Sequence, residues 1–269
     1  MAVRSALFTV MERAARKAAR GLVHDFNEVE QHQVSVKSPG DFVSAADRQA
    51  ETVLRDELGR VRPGYGFLGE EGGEEAGDGE HRWIVDPLDG TTNFLHGIPH
   101  FAISMALEAK GELVAGLVYN PVADEMYWAE KGRGAYLNHR RLRVSGRTRL
   151  GESLIGTGIP FQTRGDHARY IRTLEAVIER TAGVRRIGAA ALDLCAVAAG
   201  RFDGFWEYGL NPWDIAAGIV IIREAGGFVG SIDGRARPLV AEGLVAANAH
   251  LHQPLSKLLR DAERSRPKG

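Results

Sequence analysis

The stretch WIVDPLDGTTNF, Trp83 to Phe94, decides how the chain is read. An apolar run ends in two acids three positions apart, Asp86 and Asp89, with Pro87 and Leu88 between them, and then breaks into Gly90-Thr91-Thr92. Ionised carboxylates crowded at the end of a buried strand repel one another and lose hydration, so a strand closing this way implies a counter-charge. Pro87 holds the turn that lets Asp86 and Asp89 converge, and the Leu88 carbonyl is a further oxygen donor.

Other acids occupy similar positions. Glu70 and Glu71 follow the β-like run in GFLGEEGG, Asp214 opens a helix in NPWDIAAG, and Asp47 lies beyond the loop in DFVSAAD. Asp214 taken alone reads as a helix cap rather than a ligand. Taken with the Asp86/Asp89 pair, the set reads as an all-oxygen ligand group, which favours Mg²⁺, Mn²⁺ or Ca²⁺ over zinc or copper. Gly90 permits close backbone approach, and a helix beginning there turns free N–H groups toward an anion. A phosphate ester held between cations and that helix start could be attacked by a deprotonated water. Glu70 is the candidate to accept the proton, and Thr91 the candidate to orient the water.

Composition sets the frame for this reading. With 269 residues, 44% of them hydrophobic, the chain can bury a large core. Lys and Arg (34) nearly balance Asp and Glu (35), so charge-driven recognition must be local, and no direct sequence-specific nucleic-acid binding is expected. The single cysteine, Cys195, excludes an intramolecular disulfide and reads as a small buried residue in a reducing compartment. Basic residues interrupt every apolar run of the N-terminal segment, so it reads as an amphipathic helix of a cytoplasmic protein rather than a signal peptide or a membrane span.

Apolar spacing predicts one helix through Ala6, Val10, Ala14, Ala18 and Leu22 and another through Ala46, Ala50, Leu54 and Leu58, with a turn at Ser-Pro-Gly-Asp and Ser44 as the cap of the second. Short β-like runs between positions 65 and 130 predict a largely antiparallel sheet, and from Ser153 onward strand-like and helical segments alternate. We expect one unit spanning residues 1–269, with an α+β half to about residue 150 and an α/β half from about residue 151. His96 and His100 flank Gly97 and Pro99, which argues against a zinc pair. GTGIP and KGRGAY read as turns, and Arg185 and Arg186 as solvated surface.

LGEEGG, WIVDPLDGTTNF and NPWDIAAG, in this order, resemble the signatures of the inositol monophosphatase family. RRIGAAALDL and AAGRFDGFWE are most similar to its bacterial SuhB-type branch. The resemblance runs from KSPGDFVSAAD to near position 245. It implies a layered αβαβα sandwich, Mg²⁺-dependent hydrolysis of phosphate monoesters such as myo-inositol 1-phosphate, two to three Mg²⁺ ions, inhibition by Li⁺ and a homodimer. It further implies that Glu70, Asp86 and the Leu88 carbonyl form one metal site, that Asp86, Asp89 and Asp214 form a second, and that Glu70 serves a third. Thr91 matches the residue positioning the nucleophilic water, and Gly90 and Thr91 the phosphate-holding backbone. Glu207 and Ala190 match contacts to the inositol ring, Asp47 a supporting acid and Lys37 a mobile-loop lysine. Ala189 stands where several animal members carry threonine, and Pro212 occupies a position that varies across the family. SuhB-like proteins also partner the transcription antitermination machinery, which makes such factors possible partners here.

Overall fold

A computed structural model describes residues 5–32, 39–160, 165–234 and 237–265. Two long helices, α1 (Ala6–His32) and α2 (Pro39–Val61), lead into eight strands. These are β1 (Gly66–Gly69), β2 (Gly73–Glu75), β3 (His81–Asp89), β4 (Ala102–Ala109), β5 (Glu112–Asn120), β6 (Glu125–Glu130), β7 (Gly134–Leu137) and β8 (Arg140–Arg141), with the short helix α3 (Thr91–Leu95) after β3. The remaining elements are β9 (Leu154–Thr157), α4 (His167–Ile178), β10 (Gly183–Arg185), α5 (Ala190–Ala198), β11 (Gly204–Tyr208), α6 (Pro212–Glu224), β12 (Phe228–Ser231), β13 (Gly243–Ala247) and α7 (His252–Arg264).

The first sheet has the order β2-β1-β3-β4-β5-β6-β7-β8 and is antiparallel except where β1 and β3 run parallel. The second has the order β10-β9-β11-β13-β12, with β9 parallel to both its neighbours and β13 antiparallel to both of its own. Alternation along the strands assigns the faces of the first sheet. Trp83, Val85, Ile103, Met105 and Leu117 pack with α1 and α2, whereas Ile84, Ala106 and Val118 pack with α5 and α6. The second sheet shares α5 and α6 through Phe205 and Ala246, and its outer face, with Trp206 and Val245, is covered by α4 and α7. Layers of helix, sheet, helix, sheet and helix follow, which is the expected αβαβα sandwich. Residues from both halves of the chain meet in the middle layer.

That middle layer is tight. A Cβ on Gly116 of β5 would stand 2.5 Å from the Ala217 carbonyl oxygen, so the missing side chain is what lets α6 settle onto the first sheet. Cys195 is buried in α5 as a core residue.

The start of α2 departs from the expectation. Ser44 is not its cap, because the helix already begins at Pro39, and Ser-Pro-Gly-Asp is no turn over its last three residues. Proline lacks the N–H that a first helical turn leaves unsatisfied, so the dipeptide that reads as a turn also serves as a helix start. Asp47 consequently lies inside α2 rather than beyond a loop.

Candidate active site

The spacing of Asp86 and Asp89 has a geometric cause. In a regular strand, residues three apart face opposite sides of the sheet. Here Asp86 pairs with Ser104 and Asp89 with Ala102, three residues on β3 against two on β4, so a bulge at Pro87 and Leu88 absorbs one residue. The bulge restores parity, and both acids share the face that looks toward α5 and α6. Proline is tolerated there because the ladder is already broken. Within the bulge the Asp86 carboxylate accepts the Leu88 N–H at 2.8 Å.

Immediately after β3, Gly90 takes a left-handed conformation (φ 92°) as the residue before α3. Thr91 Oγ1 donates to the Leu88 carbonyl at 3.1 Å. Asn93 and Phe94 anchor this turn from below. Asn93 Nδ2 donates to the carbonyls of His100 (2.8 Å) and Ile187 (3.0 Å), tying the turn to the entry of α5. Phe94 is fully buried against Phe101 and Phe26, at centroid distances of 5.0 and 5.6 Å, a burial that contributes roughly 2 kcal/mol.

The GEEGG turn is fixed by α2. Glu51, one turn after Asp47, is 3% exposed, and its two carboxylate oxygens accept the N–H groups of Glu71 (2.9 Å) and Gly72 (2.8 Å). Arg55, another turn on, donates to Glu51 at 2.9 Å. A Cβ on Gly69 would lie 2.3 Å from Glu51, so the glycines here make room for the buried carboxylate. Asp214 arrives from the other half of the chain. It sits at the third position of α6 and accepts the Asn211 N–H at 2.6 Å in a reciprocal capping box with Pro212 at the helix start. The cap reading and the site reading of Asp214 therefore both hold.

These segments converge on one cavity of about 530 Å³. Asp47, Glu70, Asp86, Leu88, Asp89 and Asp214 line it, together with Gly90, Thr91, Ala190 and Glu207. Of the residues expected at the site, only Lys37 goes unplaced, because it lies outside the described residues. The Asp89 oxygens accept the backbone N–H groups of Ala190 (3.2 Å) and Ala191 (2.8 Å), at the start of α5.

The electrostatics are those of acids crowded without enough positive charge. Burial pushes the Asp47 carboxyl up to about 8, reinforced by Glu70 and Glu71, and Asp47 Oδ1 has no hydrogen-bond partner. Burial raises Asp89 to about 8, aided by the Asp214 charge and opposed by the two N–H groups from α5. Asp86 is driven well above the carboxylate range by burial and then by Glu70 and Asp89. Glu70 stands on the open rim, but its carboxyl end is enclosed; desolvation and then Asp214 raise it to about 7, while a hydrogen bond with Asp86 opposes the rise. Among the described residues no three His, Cys, Asp or Glu side chains already stand around a common point as a finished metal cage. The chemistry of the donors nonetheless fits hard cations, since carboxylate and carbonyl oxygens line the cavity, and divalent charge would relieve the crowding.

Two further charged residues were not anticipated. Asp193 of α5 lines the cavity with 1% exposure, and Arg186 is the only basic side chain among the described residues that line it. Arg186 is exposed, as a solvated surface residue would be, yet it stands at the cavity. The Glu207 carboxylate packs on Gly158, where a Cβ would stand 1.9 Å from Oε1. The signal for Asp193 lies in the sequence ALDLCAVA, where it is the one charged residue of an otherwise apolar helix.

Residues 3–265 match the inositol monophosphatase family. The chain belongs to that family. It is 56% identical over 258 residues to the inositol-1-monophosphatase of Rhizobium meliloti (strain 1021), covering 96% of this chain and 97% of the relative. It is 43% identical to the Nus factor SuhB of Pseudomonas aeruginosa over 93% and 94% of the two chains. The crystal structure of the native extragenic suppressor protein suhB from Bartonella henselae superposes with a TM-score of 0.88 at 52% identity, covering 95% of this chain and 99% of that one. Inositol monophosphatases are phosphoric monoester hydrolases and generally depend on metal ions, in keeping with an acid-lined cavity at the junction of the two halves. Among the described residues no helix is long and apolar enough to cross a membrane.

Proposed function

We propose that this protein hydrolyses small phosphate monoesters with Mg²⁺, with myo-inositol 1-phosphate as the principal substrate. The observation carrying this reading is the imbalance in the cavity, where, among the described residues, eight carboxyl groups face a single guanidinium. Such a site repels a phosphate until cations enter, so anion binding and cation binding are one event. Glu70, Asp86, Asp89, Asp214 and the Leu88 carbonyl would hold two to three ions, which when bound supply charge to the phosphate and lower the pKa of water.

The chain's own groups divide the remaining work. Gly90 and the first N–H groups of α3 face the phosphate, Thr91 orients the attacking water, and Glu70 accepts its proton with Asp47 in support. Ala190, Glu207 and, on approach, Lys37 contact the alcohol half. The protein works in the cytoplasm as a homodimer, and static light scattering that finds only monomer at micromolar concentration would refute the dimer.

The test is phosphate release from myo-inositol 1-phosphate, fructose 1,6-bisphosphate, adenosine 3',5'-bisphosphate and glycerol 2-phosphate, each with Mg²⁺, with EDTA and with added Li⁺. Mg²⁺-dependent, Li⁺-sensitive release that is fastest from the inositol ester supports the proposal. Preference for either bisphosphate would replace the substrate, and silence across the panel would refute the reading. A second reading draws on the identity to a Nus factor: a partner of the transcription antitermination machinery with secondary phosphatase activity. Affinity capture from native extract tests it, and recovery of neither antitermination factors nor RNA polymerase would count against it.

A further inference from the structure

Asp193 is a buried acid without a job in the machinery described so far. Its place in the first turn of α5 gives it the favourable end of the helix field, but that field does not replace lost hydration. Its Oδ1 has no hydrogen-bond partner at 1% exposure, and among the described residues no ion pair joins it to Arg186, the cation that shares its cavity. A carboxyl oxygen kept dry and unpaired in a folded protein weakens the fold, and a cost of that kind is expected where a ligand supplies the missing bond.

The neighbourhood narrows what that ligand group can be. Asp193 lines the cavity together with Glu207 and Arg186, and the charges of both Asp193 and Arg186 reach Glu207. A second phosphate would meet two carboxyl groups and one guanidinium, and an ammonium would meet the guanidinium; each is opposed by one of the fixed charges. A hydroxyl both donates and accepts, so it pairs with a carboxyl in either protonation state. Asp89, the acid whose charge acts most on Asp193, is already turned to the N–H groups of Ala190 and Ala191. With Asp89 so held, the free oxygen of Asp193, whose charge is the first to act on Glu207, is left for the alcohol half of a substrate.

We infer that Asp193 is a specificity-determining residue, whose unpartnered Oδ1 binds a hydroxyl of the alcohol half beside Glu207 and so selects polyol phosphates over esters lacking free hydroxyls. The inference rests on the phosphatase reading above and adds the residue that chooses the alcohol.

The experiment measures kcat/KM for myo-inositol 1-phosphate, its monodeoxy analogues and p-nitrophenyl phosphate, at saturating Mg²⁺, with the full-length protein and its Asp193→Ala and Asp193→Asn variants. In Asp193→Ala the ratio of inositol to aryl ester should fall about tenfold or more, through KM, with Asn intermediate because its amide oxygen still accepts. One deoxy analogue should lose no further rate in the variant, since its missing hydroxyl is the one Asp193 holds. The Tm of the free variant should stay level or rise, which separates a binding role from a packing role. Equal losses on both esters, additive losses for every deoxy analogue, or a changed Mg²⁺ requirement with an unchanged ratio would overturn the inference. Asp193→Ser provides the same comparison if the alanine variant does not fold. Should wild-type protein release phosphate from neither ester, the phosphatase reading fails and takes this one with it; turnover with an unmoved ratio refutes the role of Asp193 alone.

Discussion

The carboxylate of Glu51 accepts the backbone N–H of Glu71 at 2.9 Å, so one acid of the α2 helix fixes the turn that carries two others. Glu51 also takes the Gly72 N–H and a bond from Arg55. Glu51→Ala leaves those donors unpaired and is expected to cost about 2 kcal/mol of stability in urea unfolding. Because the turn places Glu70, activity should fall about tenfold beyond any loss of folded protein, with Glu51→Gln intermediate. Full turnover at saturating Mg²⁺ in the alanine variant would show that the turn holds its position without Glu51.

Asp89→Asn preserves shape and one acceptor for α5 but removes the charge at the centre of the acid group. Phosphate release should drop by about 100-fold or more, with an unchanged far-ultraviolet spectrum. Unchanged turnover would contradict the assignment of Asp89 to the metal ions.

Stability should fall with rising pH without Mg²⁺, and Mg²⁺ should offset that fall. Burial and mutual repulsion raise Asp47 and Asp89 to about 8 and Glu70 to about 7, above the values of an unfolded chain. The folded, metal-free protein therefore binds more protons than the unfolded chain between about pH 4 and pH 8, and the contribution of these groups is lost as pH rises through that window. In EDTA, Tm should fall between pH 6 and pH 8.5. Mg²⁺ competes with those protons, so its stabilising shift should grow over the same interval. A Tm in EDTA that stays flat or climbs would mean the acids are not crowded as described.

Gly158→Ala should act on Glu207 alone. The backbone at 158 does not require glycine by its dihedral angles, but the added Cβ would occupy the space of the Glu207 carboxylate. We expect KM for inositol 1-phosphate to rise about tenfold, with stability changed by about 1 kcal/mol or less. An unchanged KM would remove Glu207 from the alcohol contacts.

Much of the site was legible because its residues are clustered in three short motifs, each ending a recognisable strand or opening a recognisable helix. Asp86 and Asp89 stood out as acids in an apolar run, and Asp214 as an acid after a turn. The bulge that aligns the first two is a property of pairing with β4, which one strand's sequence does not contain. The start of α2 was misread because Pro-Gly is local evidence for a turn, while the helix that follows is stabilised by packing against α1. Asp193 and Arg186 were missed for a related reason. Each looks ordinary beside its chain neighbours, and their significance comes from Glu207 and from the cavity, which are assembled by distant segments.

Gly116 gives the architecture a hidden dependence. It contributes nothing to the lining of the cavity, yet the bare backbone there sets how deeply α6 seats, and α6 carries Asp214 at its tip. The catalytic end of the molecule is thus calibrated from less than one turn along the same helix, at Ala217, by an atom that is absent. A side chain at that position would imitate an active-site lesion, while every residue of the active site remained in place.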